Sequence, residues 1–292
     1  MSSSTLPPRP ESAIPHLGTY VREMAVTVER MYENALDWAH LPYLHDASFS
    51  RIELLQQDES SWRARTWNAA PRDVESAVIE LCLDRTCRRW ITRTLEGPSA
   101  GSEIWTHCIP LGERRLIVVV DFFAPAVANE KRARVGATYA ALYARLYDED
   151  ERMMLQRQAA LDARRHDDMT SADTDMADTS GIGVSRIDIS GIDLGPISTL
   201  ASRLPIDVTV GARRYRVCQE HGTFLAYALR CPHALAPLDD VQLIDGRLTC
   251  PWHGYSFDVR SGEQVAGGSG AARCQLPVHQ VYEDADGRAR LG

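Results

Sequence analysis

Cys231-Pro232-His233 and Cys250-Pro251-Trp252-His253 place one thiol and one imidazole on each of two short segments, with sixteen residues between His233 and Cys250. Thiolates and imidazoles are good ligands for transition metals, so two such segments folded together can close on one metal centre. Zinc accepts a Cys2His2 set, but zinc fingers group Cys with Cys and His with His, whereas each segment here supplies one of each. That pairing fits a [2Fe-2S] cluster in which one iron takes both cysteines and the other both histidines.

A second constellation lies much earlier. Residues 29–40, Glu-Arg-Met-Tyr-Glu-Asn-Ala-Leu-Asp-Trp-Ala-His, read as a short helix, and His45 follows five residues after His40 with Pro42 between them. Five residues is a poor spacing for one face of an unbroken helix. Proline ends the helix and turns the chain, which lets His45 fold back toward His40. Two imidazoles and one carboxylate with open positions make the facial triad of a non-haem Fe(II) site that activates dioxygen. The carboxylate has to come from elsewhere in the chain.

The elements that must hold these residues follow from patterning. Residues 1–17 are rich in Ser and Pro and are expected to form a flexible arm. Alternating residues predict strands over 18–28, 50–55, 62–67, 74–83, 88–95, 102–109 and 114–123, and a long stretch without Pro predicts a helix over 129–165. A curved antiparallel sheet gripping that helix is the economical assembly for residues 18–165. Residues 166–185 hold Asp167, Asp168, Asp173, Asp175 and Asp178 among Ser, Thr and Met, and read as an acidic linker. Short β segments over 185–189, 206–210, 214–219, 223–228, 241–249, 255–259 and 275–283 predict a small all-β unit over 186–292 around the Cys/His segments. The predicted class is therefore α+β.

At 292 residues the chain has room for two cores, and 44% hydrophobic with 25% charged residues is a globular composition. A net charge of -8 argues against nucleic acid or an anionic membrane as partner. Seven cysteines are an odd number, and the five outside the two segments read as reduced core thiols. The first residues lack an apolar core of signal-peptide length and no run approaches a membrane span, so a cytoplasmic protein is expected. Trp67, Trp90, Trp105 and Phe122 are candidate walls of a substrate pocket.

Residues 186–292 resemble a Rieske iron-sulfur domain, whose loops read Cys-Pro-His and Cys-Pro-x-His-Gly. The ligands Cys231, His233, Cys250 and His253, both prolines, Gly254 and Phe257-Asp258 agree together. One departure is visible, since Ala234-Leu235 stand where many members carry Arg-Gly. Glu33, Asp37, His40 and His45 match the acidic-x3-Asp-x2-His-x4-His motif of Rieske non-haem iron oxygenases. That resemblance implies a helix-grip, START-like catalytic domain with a mononuclear Fe(II). It implies His40 and His45 as iron ligands and Asp150, which follows Glu149 and precedes Gln156, as the third, with Asp148 as the next choice. Asp37 resembles the family's bridging carboxylate between iron ligand and cluster ligand; Asn34 is a further candidate at the iron. Also implied are dioxygen, a small and largely apolar or aromatic substrate, a separate reductase or ferredoxin as electron donor, and a ring-shaped homo-oligomer, preferably a trimer. The order is reversed relative to most members, with the catalytic domain first. Hydroxylation, demethylation and desaturation are all compatible with these residues. Two rival readings are a helix-grip ligand carrier fused to a Rieske ferredoxin acting only in electron transfer, and a zinc hydrolase using His40 and His45.

Overall fold

Alternation along the strands decides which face of the first sheet is buried. In the computed structural model, which describes residues 14–69, 75–125, 127–172, 191–267 and 273–292, two compact units form, Met1–Leu155 and Gln156–Gly292. In chain order the first holds β1 (His16–Met24), α1 (Val28–Leu36), a 3-10 turn (Trp38–His40), α2 (Leu41–Leu44), β2 (Phe49–Gln57), β3 (Ser61–Asn68), β4 (Ser76–Asp84), β5 (Arg89–Glu96), β6 (Glu103–Gly112) and β7 (Arg115–Phe123). It also holds α3 (Arg132–Ala172) as far as Leu155. The strands form one antiparallel sheet in the order β1-β7-β6-β5-β4-β3-β2. On β3, Trp62, Ala64 and Thr66 are buried while Ser61, Arg63 and Arg65 are half-exposed, the period of two that a one-sided core demands. From the same concave side Phe122 of β7 stacks on Tyr139 of α3 at 5.3 Å and meets Tyr143 edge-on at 5.1 Å. This is the helix-grip architecture expected from the sequence, and the class is α+β.

Gly136 explains how closely α3 approaches β1. A Cβ there would lie 2.2 Å from the Leu17 carbonyl oxygen, a backbone atom that cannot rotate away. Alanine in a helix is worth about 0.5–1 kcal/mol over glycine, but a backbone overlap of that size outweighs it. Gly136→Ala is therefore expected to lower the melting temperature of the protein; an unchanged or raised value would refute the close approach.

The first unit differs from expectation around α1. The helix expected over 29–40 stops at Leu36, because Asp37 leaves helical space (φ −86°, ψ 75°) while its N–H still bonds Glu33 O at 3.0 Å. Pro42 does not end that helix. It sits in the first turn of α2, where the N–H it lacks has no helical partner to lose. α3 runs past the expected end at residue 165 to Ala172, with no Pro or Gly from 137 to 172 to stop it. The first residues of the expected linker are thus helical, and the two units part inside α3, between Leu155 and Gln156. The rest of that linker, the strand expected over 185–189 and the expected arm as far as residue 13 lie outside the described residues.

The second unit continues with β8 (Asp193–Pro196), α4 (Ile197–Leu200), β9 (Ile206–Val210), β10 (Arg213–Glu220), β11 (Thr223–Ala228), β12 (Arg247–Thr249), β13 (Ser256–Asp258), β14 (Gln264–Ala266), β15 (Val278–Glu283) and β16 (Arg288–Leu291). One sheet has the order β8-β16-β15-β11-β10-β9, the other β12-β13-β14. The strand expected over 241–249 shrinks to β12. Asp245 and Gly246 both take left-handed φ (50° and 73°) and close a tight turn in which Ile244 and Arg247 exchange hydrogen bonds of 3.0 and 2.9 Å.

Candidate metal centres

Breaking the helix at Asp37 is what brings the first centre together. His40 ends the 3-10 turn, His45 caps α2 with φ −108° and ψ 41°, and Asp150 comes from α3. His45 Nε2 lies 3.1 Å and His40 Nε2 3.5 Å from Asp150 Oδ1, and one ligand atom from each residue falls within 4.8 Å of the others. The two imidazoles meet edge to face at 5.1 Å and 72°. All three side chains are buried, at 3%, 2% and 7% exposure for His40, His45 and Asp150.

Neighbouring groups fix how these donors point. Glu149 Oε2 sits 2.6 Å from His45 Nδ1 and holds that side of the ring, while Nε2 faces Asp150 Oδ1 at 3.1 Å. Asn34 Nδ2 donates to Asp150 Oδ1 at 2.9 Å. Among the described residues His40 Nδ1 is buried without a hydrogen-bond partner, with Asp37 Oδ2 3.8 Å away. Burial pushes the Asp150 carboxyl up, but the hydrogen bond from His45, the two imidazoles and Asn34 outweigh it and hold Asp150 below the usual carboxylate range. For His45 burial disfavours the cation, while Asp150 and Glu149 raise its pKa on balance. Two imidazoles and a carboxylate held ionised in a buried pocket form a donor set suited to a divalent first-row metal with open positions.

Some sequence candidates stay apart from this group. Asp148 is exposed and accepts from Arg22 Nη1 at 2.6 Å, and Glu33 pairs with Arg30 on the surface of α1. Asn34 is a hydrogen-bond partner of the carboxylate. Glu149, whose only sequence signal was adjacency to Asp150, turns out to orient His45. Removing its charge with Glu149→Gln should weaken binding of added Fe(II) at this centre about 10- to 100-fold, measured by competition with a colorimetric chelator; undiminished binding would leave Glu149 without this role.

A cavity of about 580 Å³ opens beside His40, His45 and Asp150, walled by Phe49, Trp62, Ile79, Leu81, Trp90 and Ile104 among others. Of the four aromatic walls expected, Trp90 alone lines it. Trp67 points to the other face of β3 under the Arg51 guanidinium at 4.4 Å, Trp105 lies under Arg89 at 4.8 Å, and Phe122 belongs to the core against α3. Trp62, five positions before Trp67 and so of opposite parity, is the wall that patterning missed.

The second centre is built by two loops of one design. Cys231 N–H bonds Ala236 O at 2.9 Å and Leu235 N–H bonds Cys231 O at 3.0 Å; Cys250 N–H bonds Tyr255 O at 2.7 Å and Gly254 N–H bonds Cys250 O at 3.0 Å. In both loops the fourth residue after the cysteine takes left-handed φ, Leu235 at 66° and Gly254 at 67°. Leu235, standing where many Rieske sequences have Gly, holds that conformation with its side chain buried, against a cost of about 1–2 kcal/mol. Gly267 abuts the second loop, where a Cβ would come within 2.0 Å of Gly254 O. The Cys231 and Cys250 sulfurs hydrogen-bond each other. The Cys231 thiol, the His253 ring and the Trp252 and His253 amides hold Cys250 down at about 5 despite burial, and the same contact drives Cys231 up. The rings of His233 and His253 stand 4.6 Å apart at 89°. His253 is buried, while His233 is exposed and stacks on Tyr255 at 4.5 Å. Two adjacent sulfurs, of which Cys250 is held toward thiolate by its neighbours, and two adjacent imidazoles fit a cluster with cysteines on one iron and histidines on the other.

Residues 192–276 match the family model of the Rieske [2Fe-2S] domain, and the chain carries such a domain at its C-terminal end. Protein TIC 55, chloroplastic, of Arabidopsis thaliana is 46% identical over 55 residues, 18% of this chain and 10% of that protein. Apoptosis-inducing factor 3 of Mus musculus is 37% identical over 57 residues, 20% of this chain and 9% of that protein. The chain thus matches about a tenth of the length of these relatives. Among solved structures, the ZhuI aromatase/cyclase from Streptomyces sp. R1128 is 16% identical, covers 49% of this chain and 95% of its own, and has a TM-score of 0.39. A START superfamily protein from Mycobacterium smegmatis is 16% identical over 47% of this chain and 99% of its own, with a TM-score of 0.38. Among the described residues no helix is long and apolar enough to cross a membrane.

Proposed function

We propose that the chain is a Rieske non-haem iron oxygenase that oxidises a small, largely apolar or aromatic molecule with dioxygen and electrons from a separate reductase or ferredoxin. The observation that carries this reading is the convergence of His40, His45 and Asp150 on the wall of a cavity, in a chain that also has a Rieske domain. Cys231, His233, Cys250 and His253 would hold the cluster, and His40, His45 and Asp150 a mononuclear Fe(II). When bound, the cluster supplies single electrons and the mononuclear iron supplies oxygen activation.

The chain's own residues do the rest. Glu149 fixes the ring of His45 through Nδ1, and Asn34 holds Asp150 with Oδ1 toward both imidazoles. The apolar walls keep water off the reacting carbon. Asp37, on the Nδ1 side of His40, is the proposed bridging carboxylate through which this centre is coupled to its electron source. A ring-shaped homotrimer is part of the same proposal. Asp37→Asn is expected to keep its iron and lose turnover about 100-fold, as removal of a residue that orients a ligand does at the upper end; unchanged oxygen uptake would discard the bridge.

Anaerobic reconstitution followed by iron and sulfide analysis tests the whole reading. An oxygenase takes up three iron atoms per chain, two in the cluster and one at the histidine pair, and consumes oxygen only with both reductant and substrate. Two iron atoms with no oxygen uptake would leave a ligand carrier joined to an electron-transfer domain.

A further inference from the structure

Part of the cavity wall is polar, and nothing in the iron chemistry requires it. Thr66 of β3, Thr92 and Thr94 of β5 and Ser102 just before β6 all line the cavity. Thr66 and Ser102 are each only 5% exposed. Ser102 Oγ and Thr94 Oγ1 lie 3.0 Å apart, and the backbone locks the pair in place, Thr94 N–H bonding Ser102 O at 3.0 Å and Gly101 N–H bonding Thr94 O at 2.8 Å. A hydrogen bond between two hydroxyls uses one of their two hydrogens, so one donor and most of the lone pairs remain. Among the described residues neither hydroxyl has another partner, and Thr66 Oγ1 reaches only Ala77 O at 3.4 Å. Polar groups buried with unspent capacity cost free energy unless a ligand meets them.

Of the other lining residues, Trp62, Leu81, Trp90 and Ile104 offer only apolar surface and ring faces, and the polar Asn68, Glu75 and Arg145 are exposed to solvent. We infer that the cavity takes a molecule with an apolar ring body and one hydrogen-bonding oxygen, a phenol, alcohol or ketone, and that the Thr94–Ser102 hydroxyl pair holds that oxygen. A plain hydrocarbon of the same shape is a poorer ligand, because it would cover the hydroxyl pair without offering it a partner. Anchoring one end of the molecule also limits which of its carbons can be presented to the His40, His45 and Asp150 wall. This deepens the oxygenase reading, from which it takes only that the cavity is the substrate chamber.

Binding needs no iron, so calorimetry on the full-length protein separates the two claims. With 1-naphthol and naphthalene as probes, the unmodified protein is expected to bind 1-naphthol about 30-fold tighter, the size of effect that follows from leaving one buried hydroxyl without its partner. The double variant Thr94→Val/Ser102→Ala, which removes both hydroxyls at nearly constant shape, should bring the two within about 3-fold, with naphthalene bound no more weakly than before, so that the chamber is still folded. Thr94→Ser, which keeps the hydroxyl, should keep the preference. Equal affinities in the unmodified protein, binding of neither probe, or a preference that survives the double variant would overturn the inference. A preference for 1-naphthol in a protein that takes up only two iron atoms would leave it standing and defeat the oxygenase reading alone.

Discussion

Asp150→Ala is expected to leave the reddish-brown colour of the reconstituted protein intact, remove one iron in three and lower substrate-dependent oxygen uptake more than about 1,000-fold, since no side chain substitutes for metal-ion chemistry. Asp150 is the member of the triad to which both imidazoles point, at 3.1 and 3.5 Å. Its loss takes away the charge that compensates two buried rings and the acceptor of the Asn34 amide. Asp148 cannot move in to replace it, because it is exposed and engaged by Arg22. The cluster ligands all belong to the other compact unit, so the visible spectrum should not change. Iron analysis, the visible spectrum and an oxygen electrode check the result together. Full oxygen uptake in Asp150→Ala would show that the third ligand lies elsewhere.

Cys231→Ser should do the reverse. Cys231 is wholly buried and its sulfur contacts that of Cys250. A serine oxygen is harder and far less acidic than the thiol, so one corner of the four-ligand set is lost. The colour and the electron paramagnetic resonance signal of the reduced protein should disappear, with a loss of two iron atoms and both sulfides, while one iron per chain stays at His40, His45 and Asp150. A variant that keeps its full colour would mean that Cys231 is not a ligand.

How much of this was legible beforehand depended on the range of the information. The cluster residues announce themselves because each loop is local: the spacing from Cys231 to His233 and from Cys250 to His253 lies within one turn. His40 and His45 are legible for the same reason, but Asp150 lies more than a hundred residues away and only resemblance to a family points to it. Where parity was misread, the wall was misread too, since Trp62 and Trp67 sit on opposite faces of one strand. The break at Asp37 has no Gly or Pro to announce it, and the helix continues through 166–172 because a polar composition resembles a linker without containing a residue that stops a helix. Short β8, β14 and β16, of three or four residues each, are below the length at which alternation can be told from chance.

The placement of the tryptophans has a practical consequence for anyone handling this protein. Two of the six indoles, Trp62 and Trp90, form part of the chamber wall, and Trp62 Nε1 donates at 2.9 Å to the carbonyl of Ala35, the neighbour in sequence of the residue that holds Asp150. Any molecule that fills the chamber changes the polarity these two rings sense, against a steady background from the other four. Ultraviolet emission therefore gives the protein a built-in gauge of occupancy, readable without label, colour or turnover.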